Sequence, residues 1–197
     1  MTDIATNDVD LVPDATVRNL ARSALFAALI AAFAYVSAPW PLSPGVPVTL
    51  QVLGVFLAGI FLGPAWGGAS MVLYLTAGAL GAPVFSGGTS GIGILLAGTP
   101  TFGFLWSYPP AAALVGLVVH GGFDLHEPEA VWMPRLVAAM LAGIALIYGL
   151  GTLGFAYVTG AGVVASLLAA ALPFVPAELL KMIAAIAIVR SDAIRAT

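Results

Sequence analysis

Long runs of apolar residues, interrupted by few charges, constrain this sequence more than any other feature. Of its 197 residues, 61% are hydrophobic and only 8% are charged, whereas a soluble domain has roughly 25% charged residues. So few charged side chains could not cover the surface of a soluble fold of this length. We therefore predict an all-α integral membrane protein whose helices form one compact bundle.

The composition also excludes several classes of site. The sequence has no cysteine, which rules out a disulfide framework or a thiolate metal centre. His120 and His126 show no metal-ligand spacing, and we expect neither a metal nor a cofactor. The net charge of −3 comes without a basic patch, so we expect no nucleic-acid partner.

Six apolar segments approach the length of about 20 residues that is needed to cross the hydrocarbon layer. We expect the last one to break at its prolines, because Pro173 fits poorly inside a continuous helix. The N-terminal stretch MTDIATNDVDLVPD is acidic and does not resemble a cleaved signal peptide. The predicted organisation is a disordered cytoplasmic tail at 1–16, a membrane domain at 17–190 and a cytoplasmic tail at 191–197. The predicted spans are 17–38, 48–62, 66–80, 101–119, 132–157 and 163–189.

The arginines predict how the bundle is oriented in the cytoplasmic membrane. With six spans, all of them fall on one side, which the positive-inside rule makes cytoplasmic together with both termini. The loops SAPWPLSPGVPV and GAPVFSGGTSGIGILLAGTP then both face outward. We interpret them as a lid over an outward-facing pocket, although ordinary connectors would have the same composition. The arginines are Arg18, Arg22, Arg135, Arg190 and Arg195.

Glu178 and Lys181 are the only charged residues left for the membrane interior once the loop charges are set aside. Three residues apart, they share one face of a helix, and Pro176 suits the first turn of that helix. Lys181 precedes Arg190, which is predicted to lie at the cytoplasmic edge, by nine residues. This distance is roughly 14 Å of helix into the membrane. Ionisable groups at such depth normally face a cavity or the bundle interior, and broken helices often carry substrate sites. A purely structural ion pair and a proton relay are the alternatives.

Polar residues near the start of the second segment are further candidates for ligand binding. Gln51, beside Thr49, offers an amide with donors and an acceptor, which suits a neutral heterocycle that has NH and C=O groups. An interhelical hydrogen bond is the alternative for Gln51, and simple packing is the alternative for Tyr74 in the third segment.

The first segment carries small residues at a four-residue spacing. Ala24, Ala28 and Ala32 share a face that another helix could approach closely. This face could meet a separate membrane protein, or it could serve packing inside the bundle.

Three sequence blocks occur together in a known order: PVTLQ, then LYLTAGALGAPVF, then PAELLK. Over about residues 20–190 the chain therefore resembles the BioY family, the biotin-binding S components of energy-coupling factor (ECF) transporters. The acidic residue of the last block is commonly Asp within PGD in that family, and here it is Glu178 within PAE. The family's GPTGGY turn is replaced here by GTPTFGF.

The resemblance implies a six-helix membrane fold with an outward pocket closed by loops, and a protein that is not an enzyme. It implies that the bundle lies in membrane lipid, that a transmembrane coupling subunit docks on the small-residue face of the first helix, and that two cytoplasmic ATP-binding-cassette ATPases complete the complex. Biotin would be captured from outside. The candidate ligand-binding residues are Glu178, Lys181, Gln51, Thr49, Tyr74, Phe85, Gly87, Gly88 and Tyr108, with Trp40 as part of the apolar wall.

Other functions stay open at this point. An S component for another vitamin, of the thiamine or riboflavin class, would have the same architecture. An intramembrane enzyme would need serine and histidine at membrane depth, yet both histidines are expected near the cytoplasmic end. A purely structural membrane protein would bind no ligand.

Overall fold

The computed structural model describes residues 13–40, 43 and 45–191. Two-residue strands β1 (Ser37–Ala38) and β2 (Val48–Thr49) pair antiparallel. Apart from an isolated bridge between Phe85 and Thr89, the other regular structure of these residues is helical, which confirms the predicted all-α class. Short 3-10 or π-helical turns lie at Ser86–Gly88, Ile94–Gly98, Pro128–Ala130 and Leu172–Phe174. The helices are α1 (Asp14–Tyr35), α2 (Gln51–Ala79), α3 (Phe102–His120), α4 (Met133–Thr159), α5 (Val163–Ala170) and α6 (Val175–Val189).

The predicted tails are only partly covered by the described residues. Residues 1–12 and 192–197 lie outside them, as do residues 41, 42 and 44 of the first Pro-rich loop. α1 begins at Asp14, so residues 14–16 belong to a helix and not to the predicted disordered tail. Pro13 marks this start, because proline is tolerated at the beginning of a helix but disrupts its interior.

Five helical stretches of the described residues are long and apolar enough to cross a membrane, when α5 and α6 are counted together. α2 is the central element, because 72% of its apolar window is buried against 17% for α1. α1 therefore lies at the edge of the bundle and shows most of its surface to the surroundings.

α2 contains a reversal of the chain. Gly63 has φ 73° and ψ −174°, a conformation that residues with a side chain rarely adopt. A Cβ atom built on Gly67 would lie 2.9 Å from the carbonyl oxygen of Ala58, although nine residues of straight helix would hold these positions roughly 13 Å apart. The stretches 51–62 and 64–79 thus pack against each other, and they correspond to the second and third predicted segments.

The reversal leaves a backbone carbonyl without a helical partner. The oxygen of Ile60 would accept from the N–H of residue 64 in a continuous helix, but Pro64 has none. The Nε2 atom of His120 lies 3.0 Å from that oxygen, while its Nδ1 atom accepts the backbone N–H of His126 at 3.0 Å. His120 therefore ties the α2 turn to the end of α3.

Glycines bring the central helices into backbone contact. A Cβ atom on Gly59 would lie 2.5 Å from the carbonyl oxygen of Ala112 in α3, and one on Gly103 would lie 2.6 Å from that of Leu150 in α4. Side chains at these positions would push the helices apart. Such close approach of small residues is a main source of helix association in lipid, where the hydrophobic effect between helices is absent.

The last apolar segment is interrupted near its prolines. α5 ends at Ala170, and a 3-10 turn at Leu172–Phe174 separates it from α6. Pro176 lies in the first turn of α6 and Glu178 follows within that turn. α6 therefore follows the 3-10 turn directly, and the N–H of Val175 donates to the carbonyl oxygen of Leu172.

Basic side chains gather at one end of the bundle, which we call the arginine end. Arg135 donates from Nε to the carbonyl oxygen of Val118 at 2.7 Å, and Arg190 donates to the carbonyl oxygens of Glu129 and Val131. These contacts join the ends of α3 and α6 to the start of α4. The opposite end, the lid end, carries the two loops rich in proline and glycine.

We predict that Gly59→Leu destabilises the bundle, because its side chain would meet the backbone of α3. Overpacking of this kind costs about 1–3 kcal/mol or more, which for a chain of this length corresponds to a fall in Tm of at least about 2 °C. Gly149→Leu is the matched control, since nothing lies within 4 Å of a Cβ atom there. Thermal unfolding of the purified protein in detergent measures both. An equal Tm for the two variants would contradict the close packing of α2 on α3.

Candidate functional site

A cavity lies at the lid end, between the loops and α2, α3, α4 and α6. Its volume is about 280 Å³, close to the lower end of the range of roughly 300–1,000 Å³ that is typical of small-molecule sites. Aromatic and aliphatic walls surround a few polar groups, as in most such sites. The lining residues are Gly45, Val46, Pro47, Thr49, Gln51, Val52, Phe85, Ser86, Thr89, Ile94, Thr99, Pro100, Thr101, Phe104, Leu105, Tyr108, Tyr148, Phe174, Glu178 and Lys181.

Glu178 and Lys181 form a buried ion pair on the cavity wall. The Nζ atom of Lys181 lies 2.6 Å from Oε1 of Glu178, and the two residues are only 5% and 2% exposed. The hydroxyl of Tyr148 donates to the same Oε1 atom at 2.8 Å. The Oε2 atom of Glu178 is buried and has no hydrogen-bond partner among the described residues. One carboxylate oxygen of the pair is therefore left without a hydrogen bond in the described part of the chain.

The position of this pair follows from the local sequence. The spacing of three residues places both side chains on one face of α6. Glu178 lies in the first turn, where the positive end of the helix dipole favours a carboxylate. Lys181 offsets the negative charge of Glu178. Removing either partner would leave an uncompensated buried charge, which costs roughly 3–5 kcal/mol.

Gln51 is held in a chain of hydrogen bonds at the start of α2. Its Oε1 atom accepts from the hydroxyl of Thr49 at 3.0 Å, and its Nε2 atom donates to the hydroxyl of Tyr74 at 2.6 Å. The Tyr74 hydroxyl donates in turn to the carbonyl oxygen of Val84 at 3.0 Å. Thr49 and Gln51 line the cavity, whereas Tyr74 lies behind Gln51 and fixes its amide.

Phe85 reaches the cavity from the second lid loop. Its ring packs edge-on against Tyr74, with the ring centroids 5.6 Å apart, and its N–H donates to the carbonyl oxygen of Thr89 at 3.0 Å. Gly87 and Gly88 have φ angles of 68° and 76°, and they form the turn without lining the cavity. Their predicted contact with a ligand therefore stays a prediction.

Aromatic rings form much of the remaining wall. Tyr108 lines the cavity as the sequence indicates, whereas Trp40 does not and packs on Phe174, with ring centroids 6.4 Å apart. The ring of Tyr148 packs against the rings of Phe104 and Phe174, with centroid distances of 5.7 and 6.0 Å. Sequence reasoning missed these three rings. A tyrosine in the middle of the fifth apolar segment was the available signal for Tyr148, because a polar group at that depth needs a partner.

The small-residue face of α1 lies on the surface. Ala24, Ala28 and Ala32 are all exposed, whereas Ala27 is half-buried and packs on the core. Packing inside the bundle therefore does not account for the first three alanines. Docking of a partner on this face stays a prediction.

Comparison with known proteins agrees with this architecture. The chain matches the model of the BioY family over residues 5–196. A biotin transporter BioY from Rhodobacter capsulatus is 43% identical over 175 residues, which are 84% of this chain and 88% of that protein. One from Rhizobium etli is 34% identical over 178 residues, which are 86% and 90% of the two chains.

A solved structure has the same fold. It is the S-component for biotin from an ECF-type ABC transporter, which superposes with a TM-score of 0.78 over 94% of this chain and 95% of that chain. The two sequences are 25% identical. From its sequence match over nearly the whole length, this chain belongs to the BioY family.

Proposed function

We propose that this protein captures biotin and takes it up across the cytoplasmic membrane, as the substrate-binding S component of an ECF-type ABC transporter. Its relatives are biotin transporters, and the solved structure with the same fold is a biotin S-component. The observation that carries the proposal is the buried Glu178–Lys181 pair in the wall of a cavity of small-molecule size.

The chemistry of biotin suits this pair. Its ureido group has two N–H donors and one carbonyl acceptor, and its bicyclic ring is otherwise apolar. The unused Oε2 atom of Glu178 would accept a ureido N–H, and the Nζ atom of Lys181 would donate to the ureido oxygen. Hydrogen bonds to charged groups are roughly twice as strong as neutral ones. Phe104 and Phe174 would cover the apolar faces of the ring.

The energy for uptake would come from partners. The sequence contains no G-x-x-x-x-G-K-[ST] motif for binding ATP phosphates, and the proposed role is substrate binding and not catalysis. A transmembrane coupling subunit would dock on Ala24, Ala28 and Ala32, and two ATP-binding-cassette ATPases would drive release. The arginine end would face the cytoplasm with both termini, and the lid end would face outward.

We predict that Lys181→Ala lowers the affinity for biotin at least tenfold, which corresponds to about 1.4 kcal/mol. The change removes a donor to the ligand and leaves Glu178 uncompensated. Binding of radiolabelled biotin to the purified protein in detergent measures the effect, and Leu180→Ala, which alters an exposed neighbour, is the control. Unchanged affinity would contradict the assigned role. A different vitamin that co-purifies in place of biotin would contradict the proposed substrate.

We predict a similar loss of affinity for Tyr148→Phe. The variant keeps the ring packing but removes the hydrogen bond to Glu178, which is worth about 1.5–3 kcal/mol when a charged group takes part. Biotin affinity should fall roughly tenfold or more. Tyr157→Phe removes a hydroxyl from an exposed ring and should bind biotin normally in the same assay. Equal binding by the two variants would show that Tyr148 does not orient the carboxylate.

We predict that Ala28→Trp prevents assembly without affecting biotin binding, because a large side chain would hold a partner helix away from α1. Co-purification with co-expressed coupling subunit and ATPases measures assembly. Leu153→Trp, which places tryptophan on an exposed part of α4, is the control and should assemble normally. A complex that forms equally well with both variants would place the docking surface elsewhere.

A further inference from the structure

A second cavity lies on the outer side of the bundle, where α4 meets the break between α5 and α6. Its volume is about 440 Å³, which exceeds that of the cavity at the lid end. Tyr148 and Glu178 line both cavities, so they form a shared wall. We call this second cavity the lateral groove; its aliphatic lining includes Leu141, Ile144, Leu167, Leu168, Leu172 and Leu179.

The lateral groove lies at the depth of the hydrocarbon layer. Leu141 and Tyr148 follow the start of α4 at Met133 by eight and fifteen residues, which is roughly 12 and 22 Å of helix, and the hydrocarbon layer is about 30 Å thick. The groove is open to the surroundings, because Leu168 and Leu172 are 56% and 60% exposed. Its surroundings are therefore lipid.

We infer that the lateral groove is a binding site for one acyl chain of a membrane lipid. Aliphatic walls give water no hydrogen-bond partners, and apolar cavities of this kind stay dry and take up apolar molecules. An empty groove would leave its side chains without dispersion contacts. A flexible methylene chain is the one abundant molecule at this depth that can follow an irregular apolar surface. The turn at Leu172–Phe174 creates the groove, because it interrupts the helix that would otherwise pack along α4.

An acyl chain in the lateral groove would also cover the outer side of the wall that the groove shares with the cavity at the lid end. Tyr148 and Lys181 already bond to Oε1 of Glu178, and an acyl chain has no hydrogen-bond donor for Oε2. A donor for Oε2 must then come from the cavity at the lid end. This consequence rests on the proposed function, whereas the lipid site itself does not.

Photo-crosslinking tests the lipid site. The full chain would be placed in phosphatidylcholine nanodiscs whose lipid carries a diazirine in the middle of one acyl chain, and the labelled peptides would be mapped by mass spectrometry. Labelling should concentrate on residues 141–148 and 167–179. Leu168→Trp, which fills the groove, should reduce it at least fivefold. Leu180→Trp, at a 68% exposed position of α6 outside the groove, should leave it unchanged.

Both tryptophan variants alter exposed positions, so the fold tolerates them. Labelling spread evenly over the lipid-facing surface, or the same labelling in the two variants, would overturn the proposal.

A second measurement uses the absence of native cysteine. Leu168→Cys should react with a water-soluble maleimide at least tenfold more slowly than Leu80→Cys, which lies exposed at the lid end. Rapid labelling of Leu168→Cys would show a water-filled groove and would also overturn the proposal. Neither experiment depends on biotin.

Discussion

In a hydrocarbon layer, each backbone N–H and C=O group that leaves a helix must find another partner inside the protein. The bundle depends on this constraint wherever a helix is interrupted. At the α2 reversal, the carbonyl oxygen of Ile60 is bonded by His120. At the arginine end, Arg135 donates to the carbonyl oxygen of Val118 in the last turn of α3, and Arg190 donates to that of Val131, which precedes α4. Side chains therefore supply partners to backbone carbonyl groups where the helices are interrupted or end.

The break before α6 contributes to the candidate ligand site. A helix that begins at this break presents the positive end of its dipole, and the carboxylate of Glu178 lies in that first turn. Lys181 and Tyr148 complete a polar corner in an otherwise apolar wall. The same interruption leaves the lateral groove on the outer side. The interruption between α5 and α6 thus shapes both the cavity at the lid end and the lateral groove.

The lid is joined to α1 as well as to the site. The Tyr35 hydroxyl donates to the carbonyl oxygen of Pro83 at 2.5 Å, and the hydroxyls of Ser37 and Ser86 lie 3.1 Å apart. β1 follows α1 directly and pairs with β2, which contains Thr49. Thr49 bonds to Gln51 at the cavity. The helix that carries the exposed alanine face is therefore connected by hydrogen bonds to both lid loops.

The sequence by itself determined the membrane class, the positions of the apolar segments and the pairing of Glu178 with Lys181, because composition, segment length and helical spacing are local properties. It also resembled the BioY family closely enough to indicate biotin. Only the tertiary structure decided which residues meet across the bundle. Tyr148 joins Glu178 from 30 positions away, Tyr74 lies behind Gln51, and Trp40 packs behind Phe174 and not on the cavity. These contacts depend on how helices cross and where α2 reverses, and no periodicity within a single helix contains that information.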